Sequence, residues 1–532
     1  MPTVSIRHFR PGPILAALSL LAISAVPAVA QVTPFKQAVA EAAARDDALA
    51  QFYRSVQFEG IWVDNDDRAR RQAFLQAMES AGDHGLPPQR YDAARMTQAL
   101  RAANDPVSRG RVEVEMSRLF LQYARDIQTG VLVPSRVDSG IVREVPYRSR
   151  VGTLTALVQS NPGAFIRSLA PAAPEYTRLM REKLRLERLI AQGGWGPTVP
   201  GTLKPGASGP AVVALRDRLV AKGFMNRSAT SVYDDSVRAG VQRFQVAYGL
   251  NPDGVAGQGT VREINRAPEE RLRNIIVAME RERWINRPRG TRHVWVNLTD
   301  FTAAIIDNDA ETFKTRSVIG ATQSDRRSPE FSDVMEFMVI NPSWYVPRSI
   351  VTKEYLPMLK RNPYAVNHIQ ITDNRGRVVN RAAVDFNAYT EQTFPFAMRE
   401  PPSQGNALGL VKFMFPNRYN IYLHDTPAKS LFGREVRAFS HGCIRLRDPF
   451  DFAYELLSKQ TADPEGFFRE RLRTGRETRV DMAQPVPVHI VYRTAFTDAR
   501  GQMNYRRDVY GRDAKIWNAL AREGVVIRAL GG

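Results

Sequence analysis

The apolar residues of this chain change their period near residue 292, and one core cannot serve both periods. From Thr33 to about Gln192 the spacing is that of amphipathic helices. Met116, Leu119, Phe120 and Tyr123 recur at three- and four-residue steps within residues 112–127, and residues 38–53 are rich in alanine and charge. Pro87-Pro88 and Asn104-Asp105-Pro106 supply turns, and His84 sits alone in one as a surface histidine. From about Arg292 the texture is that of strands: residues 293–298, 303–306, 334–340, 410–415 and 420–423 are short apolar or alternating runs between turn residues. A helical half followed by a strand-rich half predicts a multidomain α+β chain, and 532 residues exceed what one core commonly serves.

The divisions follow from composition. Residues 1–30 read as a cleavable export signal: Arg7, His8 and Arg10 precede an apolar run over 14–26, and Ala28-Val29-Ala30 supplies the small-x-small site. The run is short for a bilayer span; an uncleaved anchor is the alternative. Residues 31–192 form a helical scaffold, 193–202 a Gly/Pro-rich linker, and 203–268 a compact helical module. Residues 269–498 form a mostly-β domain with a lid-like insertion at 348–404, and 499–532 a C-terminal segment. In the module, Asp234 or Ser236 is positioned to cap a helix carrying Val237, Val241 and Phe244. Export places the protein in the periplasm or cell envelope. The net charge of +19 then favours wall carboxylates or lipid headgroups over nucleic acid, although a merely solvated basic surface fits equally well. One cysteine excludes an internal disulfide, and a lone thiol in an exported chain is either buried and inert or kept for its reactivity.

The residues around that cysteine point to reactivity. Ile421-Tyr422-Leu423-His424-Asp425-Thr426 ends a strand with a histidine. After fifteen intervening residues comes Ser440-His441-Gly442-Cys443-Ile444-Arg445, and Asp448-Pro449 then read as the N-cap and first residue of a helix. Acyl transfer from an amide needs a nucleophile, a base within reach, a group that orients the base, and donors for the oxyanion. Cys443 can be the nucleophile, its thiolate favoured by a neighbouring imidazolium. Gly442 permits close approach, so that the N–H groups of Gly442 and Cys443 can point at the substrate oxygen. Arg445 can hold a substrate carboxylate. A zinc site from His424, His441 and Cys443 lacks a fourth ligand. Asp425 and Ser440 fit a purely loop-shaping role as well as an active one.

Two stretches resemble known families. Gly209, Val212, Leu215 and Leu219, then Phe244-Gln245, Gly249-Leu250, Asp253-Gly254 and Gly257, resemble the small three-helix peptidoglycan-binding domain, with Arg216 where its glutamine usually stands. The pattern H-x15-S-H-G-C-I-R resembles the signature of the YkuD-like L,D-transpeptidase catalytic domain, and the domain order resembles the YcbB type. The resemblance implies that Cys443 attacks the carbonyl of the third residue of a peptidoglycan stem and expels the terminal D-alanine. The thioester then passes to the side-chain amine of another stem, a 3–3 cross-link of the wall that maintains cell shape. It gives His424 the role of base and acid, and assigns His441 and Gly442 to the cysteine loop and oxyanion pocket. Ser440 and Arg445 become substrate contacts, as do Trp344 and Tyr345 of the segment Asn341-Pro342-Ser343-Trp344-Tyr345-Val346-Pro347. It implies no cofactor and no metal, with stem peptides as partners and an envelope protein as an alternative acceptor. Many relatives have glycine where Asp425 stands. Two other readings stay open: water as acceptor, making a carboxypeptidase or amide hydrolase, and a non-catalytic wall-binding scaffold.

Overall fold

The computed structural model describes residues 33–528; the expected export signal lies outside the described residues. In the helical part, Asp105 caps the long helix Pro106–Thr129 through the amides of Val107 and Ser108. Its buried face carries Met116, Phe120, Tyr123 and Ile127, with Phe120 edge-on to Phe74 at 5.4 Å. The alanine- and charge-rich stretch 38–53 falls in two helices, Pro34–Ala43 and Asp47–Ser55, and Asp46 caps the second by accepting from Leu49 N. His84 is not a surface histidine: it stacks on Tyr176 and bonds its hydroxyl, and burial lowers its pKa to about 4.

The module's helices are Pro210–Ala221, Asp235–Ala247 and Gln258–Asn265, and Asp234 caps the second through Val237 N. Buried Gln245 ties the motif together. Its amide nitrogen donates to Asp253 Oδ1 (2.8 Å) and Val255 O, and its oxygen accepts Gly254 N (2.9 Å). Helix Pro268–Trp284, assigned above to the strand-rich domain, instead packs Leu272, Ile275, Ile276, Met279 and Trp284 into the cluster that contains the scaffold and module cores. A buried ionic joint links this helix to the sheet. Arg281 bonds Glu330 (2.5 Å) and Asp513 (3.1 Å), and Arg512 bonds Glu330 (3.2 Å). No described helix is long and apolar enough to cross a membrane.

The strands, in chain order, are β1 (Arg292–Asn297), β2 (Thr302–Asp307), β3 (Ala310–Gly320), β4 (Phe331–Ile340), β5 (Trp344–Tyr345), β6 (Gln370–Thr372), β7 (Ala397–Glu400), β8 (Val411–Met414), β9 (Leu423–His424), β10 (Ala438–Ser440), β11 (Ile444–Leu446), β12 (Thr478–Val491) and a separate hairpin of β13 (Ala495–Thr497) and β14 (Met503–Tyr505). Among the described residues, nine form one sheet in the order β10-β3-β11-β9-β8-β4-β12-β1-β2, and pairing of β2 with β3 closes it on itself. Alternation along each strand turns Met338, Ile340, Val411, Phe413, Leu423, Ile444 and Leu446 into one apolar core, packed against helix Pro449–Leu457 through Phe452. Pro449 opens that helix as expected. Asp448 sits at the N-cap position, but its carboxylate bonds Thr315 Oγ1 and Arg447 rather than a helix amide.

The expected insertion builds its own small core from Ile350, Val351, Leu356, Leu359, Ile371, Phe386, Phe394 and Met398. It also forms a second sheet, β5-β7-β6. The C-terminal segment carries one helix, Arg512–Arg522.

Candidate active site

The site lies on the face of the sheet opposite the apolar core. Strands β9 and β11 run parallel, with Leu423 opposite Ile444 and His424 opposite Arg445. Leu423 and Ile444 point into the core, so alternation sends Tyr422, His424, Cys443 and Arg445 to the other face. On the next strand Lys412 stands opposite His424, on the same side. The row Arg445–His424–Lys412 therefore crosses three strands beside the cysteine.

Cys443 is half-buried at the start of β11. Its thiol donates to Asn420 O at 3.4 Å. Burial pushes the thiol pKa up to about 11, opposed by Tyr422 and the Arg445 charge. The resting sulfur is thus a neutral thiol, not the expected thiolate.

His424 is 4% exposed, and its Nδ1 donates to Asp425 O at 2.5 Å. A carbonyl cannot donate, so Nδ1 carries the proton and Nε2 of the neutral ring is left as an acceptor. Burial lowers the imidazole pKa to about 3; the charges of Arg445 and Lys412 add to the shift, and the carbonyls of Asp425 and Leu408 oppose it. The ring makes no hydrogen bond to the thiol. It stands one residue pair further along the strands, its centroid 5.6 Å from that of Tyr422. Asp425 orients the imidazole through its backbone oxygen, while its carboxylate bonds Lys429 Nζ (2.5 Å) and Leu410 N (2.9 Å).

The loop before Cys443 departs from expectation in three ways. Ser440 is 1% exposed and spends its hydroxyl inside the loop, donating to Cys443 O and accepting Gly442 N at 3.1 Å, so it shapes the loop rather than facing the groove. For the same reason the Gly442 N–H is not free to meet an oxyanion. Gly442 has φ +119°, a conformation L-residues avoid, and a Cβ there would lie 3.1 Å from Ile421 Cδ1. His441 turns outward and bonds Glu354 of the insertion at 2.7 Å, and Arg326 bonds the same carboxylate.

The Arg445 side chain makes no hydrogen bond or ion pair among the described residues, and its Nε is buried without a partner. Burial lowers its pKa, and the Cys443 charge acts against that shift. A partly covered guanidinium facing the groove is suited to a carboxylate from outside the chain. Trp344 is half-buried beside Tyr422, whereas Tyr345 is 66% exposed under Arg399. Sequence reasoning passed over Tyr422 and Lys412. Tyr422 carried a signal, being two residues before His424 and so on its face, whereas Lys412 reaches that face only through the register of β8 with β9. Among the described residues no group of three or more His, Cys, Asp and Glu side chains is arranged to hold a metal.

Three family models match the chain. Residues 291–480 match the L,D-transpeptidase catalytic domain, 208–264 the "Putative peptidoglycan binding domain", and 47–182 a scaffold domain. A protein of Haemophilus influenzae named "Putative L,D-transpeptidase" is 30% identical over 242 residues, 45% of this chain and 48% of that one. The zinc D-Ala-D-Ala carboxypeptidase of Streptomyces albus G is 39% identical over 77 residues, 14% of this chain and 29% of that one. The chain thus spans less than half the length of these curated relatives. A solved L,D-transpeptidase structure from Stackebrandtia nassauensis aligns over 56% of this chain and 97% of its own, at 13% identity and TM-score 0.22.

Proposed function

We propose that this protein, which carries an L,D-transpeptidase catalytic domain beside a peptidoglycan-binding domain, cross-links peptidoglycan stem peptides through a thioester on Cys443. One observation carries the reading: the sole cysteine is half-buried at the start of β11, and the register of β9 and β11 brings it to the same sheet face as a backbone-oriented His424.

A neutral thiol and a neutral imidazole suit general-base activation at the moment of attack. The proton leaves Sγ and reaches His424 Nε2. The sulfur adds to the carbonyl of the third stem residue. Collapse of the adduct breaks the amide and returns the proton to the departing amine of D-alanine. A side-chain amine from a second stem then attacks the thioester, gives up a proton to His424 and restores the thiol. Arg445 holds a carboxylate of the donor peptide, Trp344 and Tyr345 form the wall of its groove, and the Cys443 N–H meets the oxyanion. The helical module keeps the enzyme on the wall, in the periplasm, after removal of residues 1–30.

Incubation with purified disaccharide-tetrapeptide tests the reading. Cross-linked dimers with release of D-alanine are expected, and Cys443→Ala abolishes both while still binding sacculi. Tripeptide monomers without dimers would instead make water the acceptor, and turnover by Cys443→Ala would remove the thiol from the chemistry.

A further inference from the structure

One buried hydroxyl outside the sequence motif touches the cysteine loop. Ser328, on the segment between β3 and β4, is fully buried; its Oγ donates to Gly442 O at 2.6 Å and accepts Gly320 N at 2.9 Å. The accepted amide leaves the serine's single proton for the Gly442 carbonyl. In a trans peptide the C=O and the following N–H point in opposite directions. Holding the Gly442 oxygen inward therefore turns the Cys443 N–H outward, and that N–H has no partner among the described residues. The positive φ of Gly442 is what lets the chain present this peptide unit to Ser328.

The serine is held in turn from the C-terminal segment. Tyr510 Oη accepts Ser328 N (3.3 Å) and donates to Gly320 O (2.5 Å), and Arg512 donates to Ser328 O (3.0 Å). From this geometry we infer that Ser328 is a positioning residue. By fixing the peptide plane between Gly442 and Cys443 it presets the Cys443 N–H as the oxyanion donor, and Tyr510 and Arg512 stiffen that setting from outside the catalytic motif. The inference rests on the acyl-transfer reading above.

Two reactions of the same sulfur separate positioning from mere support. Acylation passes through an oxyanion and alkylation by iodoacetamide does not. Single-turnover D-alanine release from disaccharide-tetrapeptide and the alkylation rate are measured for the full chain, Ser328→Ala and Tyr510→Phe. Ser328→Ala is expected to slow saturating acylation about ten- to a hundredfold, within the range for weakening one oxyanion donor. Its KM changes less than about threefold and its alkylation rate less than about twofold. Tyr510→Phe gives a smaller loss with the same selectivity, and it decides the question if Ser328→Ala does not fold. Equal losses in both reactions, a loss confined to KM, or no loss in either variant would overturn the role. A wild-type chain that alkylates but releases no D-alanine would instead overturn the acyl-transfer reading itself.

Discussion

Raising the pH probes the resting state of the nucleophile directly, because Cys443 is the only thiol in the chain. Burial places its pKa at about 11 against an ordinary 9.0. At pH 7 the thiolate fraction is therefore about 10⁻⁴ instead of about 10⁻², a hundredfold deficit. The more basic sulfur is intrinsically the better nucleophile; with a Brønsted slope of about 0.4–0.5, two units return roughly tenfold. Alkylation by iodoacetamide should then run about tenfold slower than for a free thiol at pH 7 and rise about tenfold per unit between pH 7 and 9. Of the neighbours, Tyr422 is pushed further up by burial, Arg445 stays cationic, and His424, at about 3, has already lost its proton. None adds an inflection in that window. The assay is a second-order rate against pH, read by mass spectrometry. A plateau already reached below pH 8, with an inflection near 6, would mean a preformed thiolate–imidazolium pair and would refute the neutral resting state.

His424→Ala should slow acylation of Cys443 by tetrapeptide about 10²–10⁴-fold, the usual cost of losing a general base. His441→Ala, whose exposed ring only pairs with Glu354, should cost less than about tenfold; the reverse order, by single-turnover kinetics, would exchange their roles. Phe413 is fully buried and stands edge-on to Phe452 at 4.8 Å, so Phe413→Ala should destabilise the strand-rich domain by about 3–5 kcal/mol. Chemical denaturation checks it, and a loss below about 1 kcal/mol would contradict the packing described for that face.

Local features were legible in the sequence, and long-range pairing was not. The Gln245 and Asp253-Gly254 pattern is readable because one buried amide satisfies a nearby turn. Arg216, the departure from that pattern, finds a local use, donating to Thr230 O at 2.6 Å. Strand β3 escaped because Glu311, Lys314 and Arg316 interrupt its apolar pattern. β12 escaped because it holds Pro485 and Pro487; its ladder with β4 slips between Asp481 and Val486, which accommodates the first proline. The closure of the sheet, and the contact of Ser328 with a residue 114 positions away, leave no local trace. At the site, the spacing singled out His424 and Cys443, which the register of β9 and β11 brings to one face. That the Gly442 N–H is already taken by Ser440 depends on a single peptide plane.

The insertion leaves the catalytic sheet at β5 and returns at β7, and these two strands pair directly, Trp344 opposite Glu400. Its doorway is therefore only about 5 Å wide, one strand spacing. Beyond that doorway the insertion reaches back through Glu354, which bonds His441 next to the cysteine, so a change in the length of the segment is passed to the cysteine loop through that one ion pair.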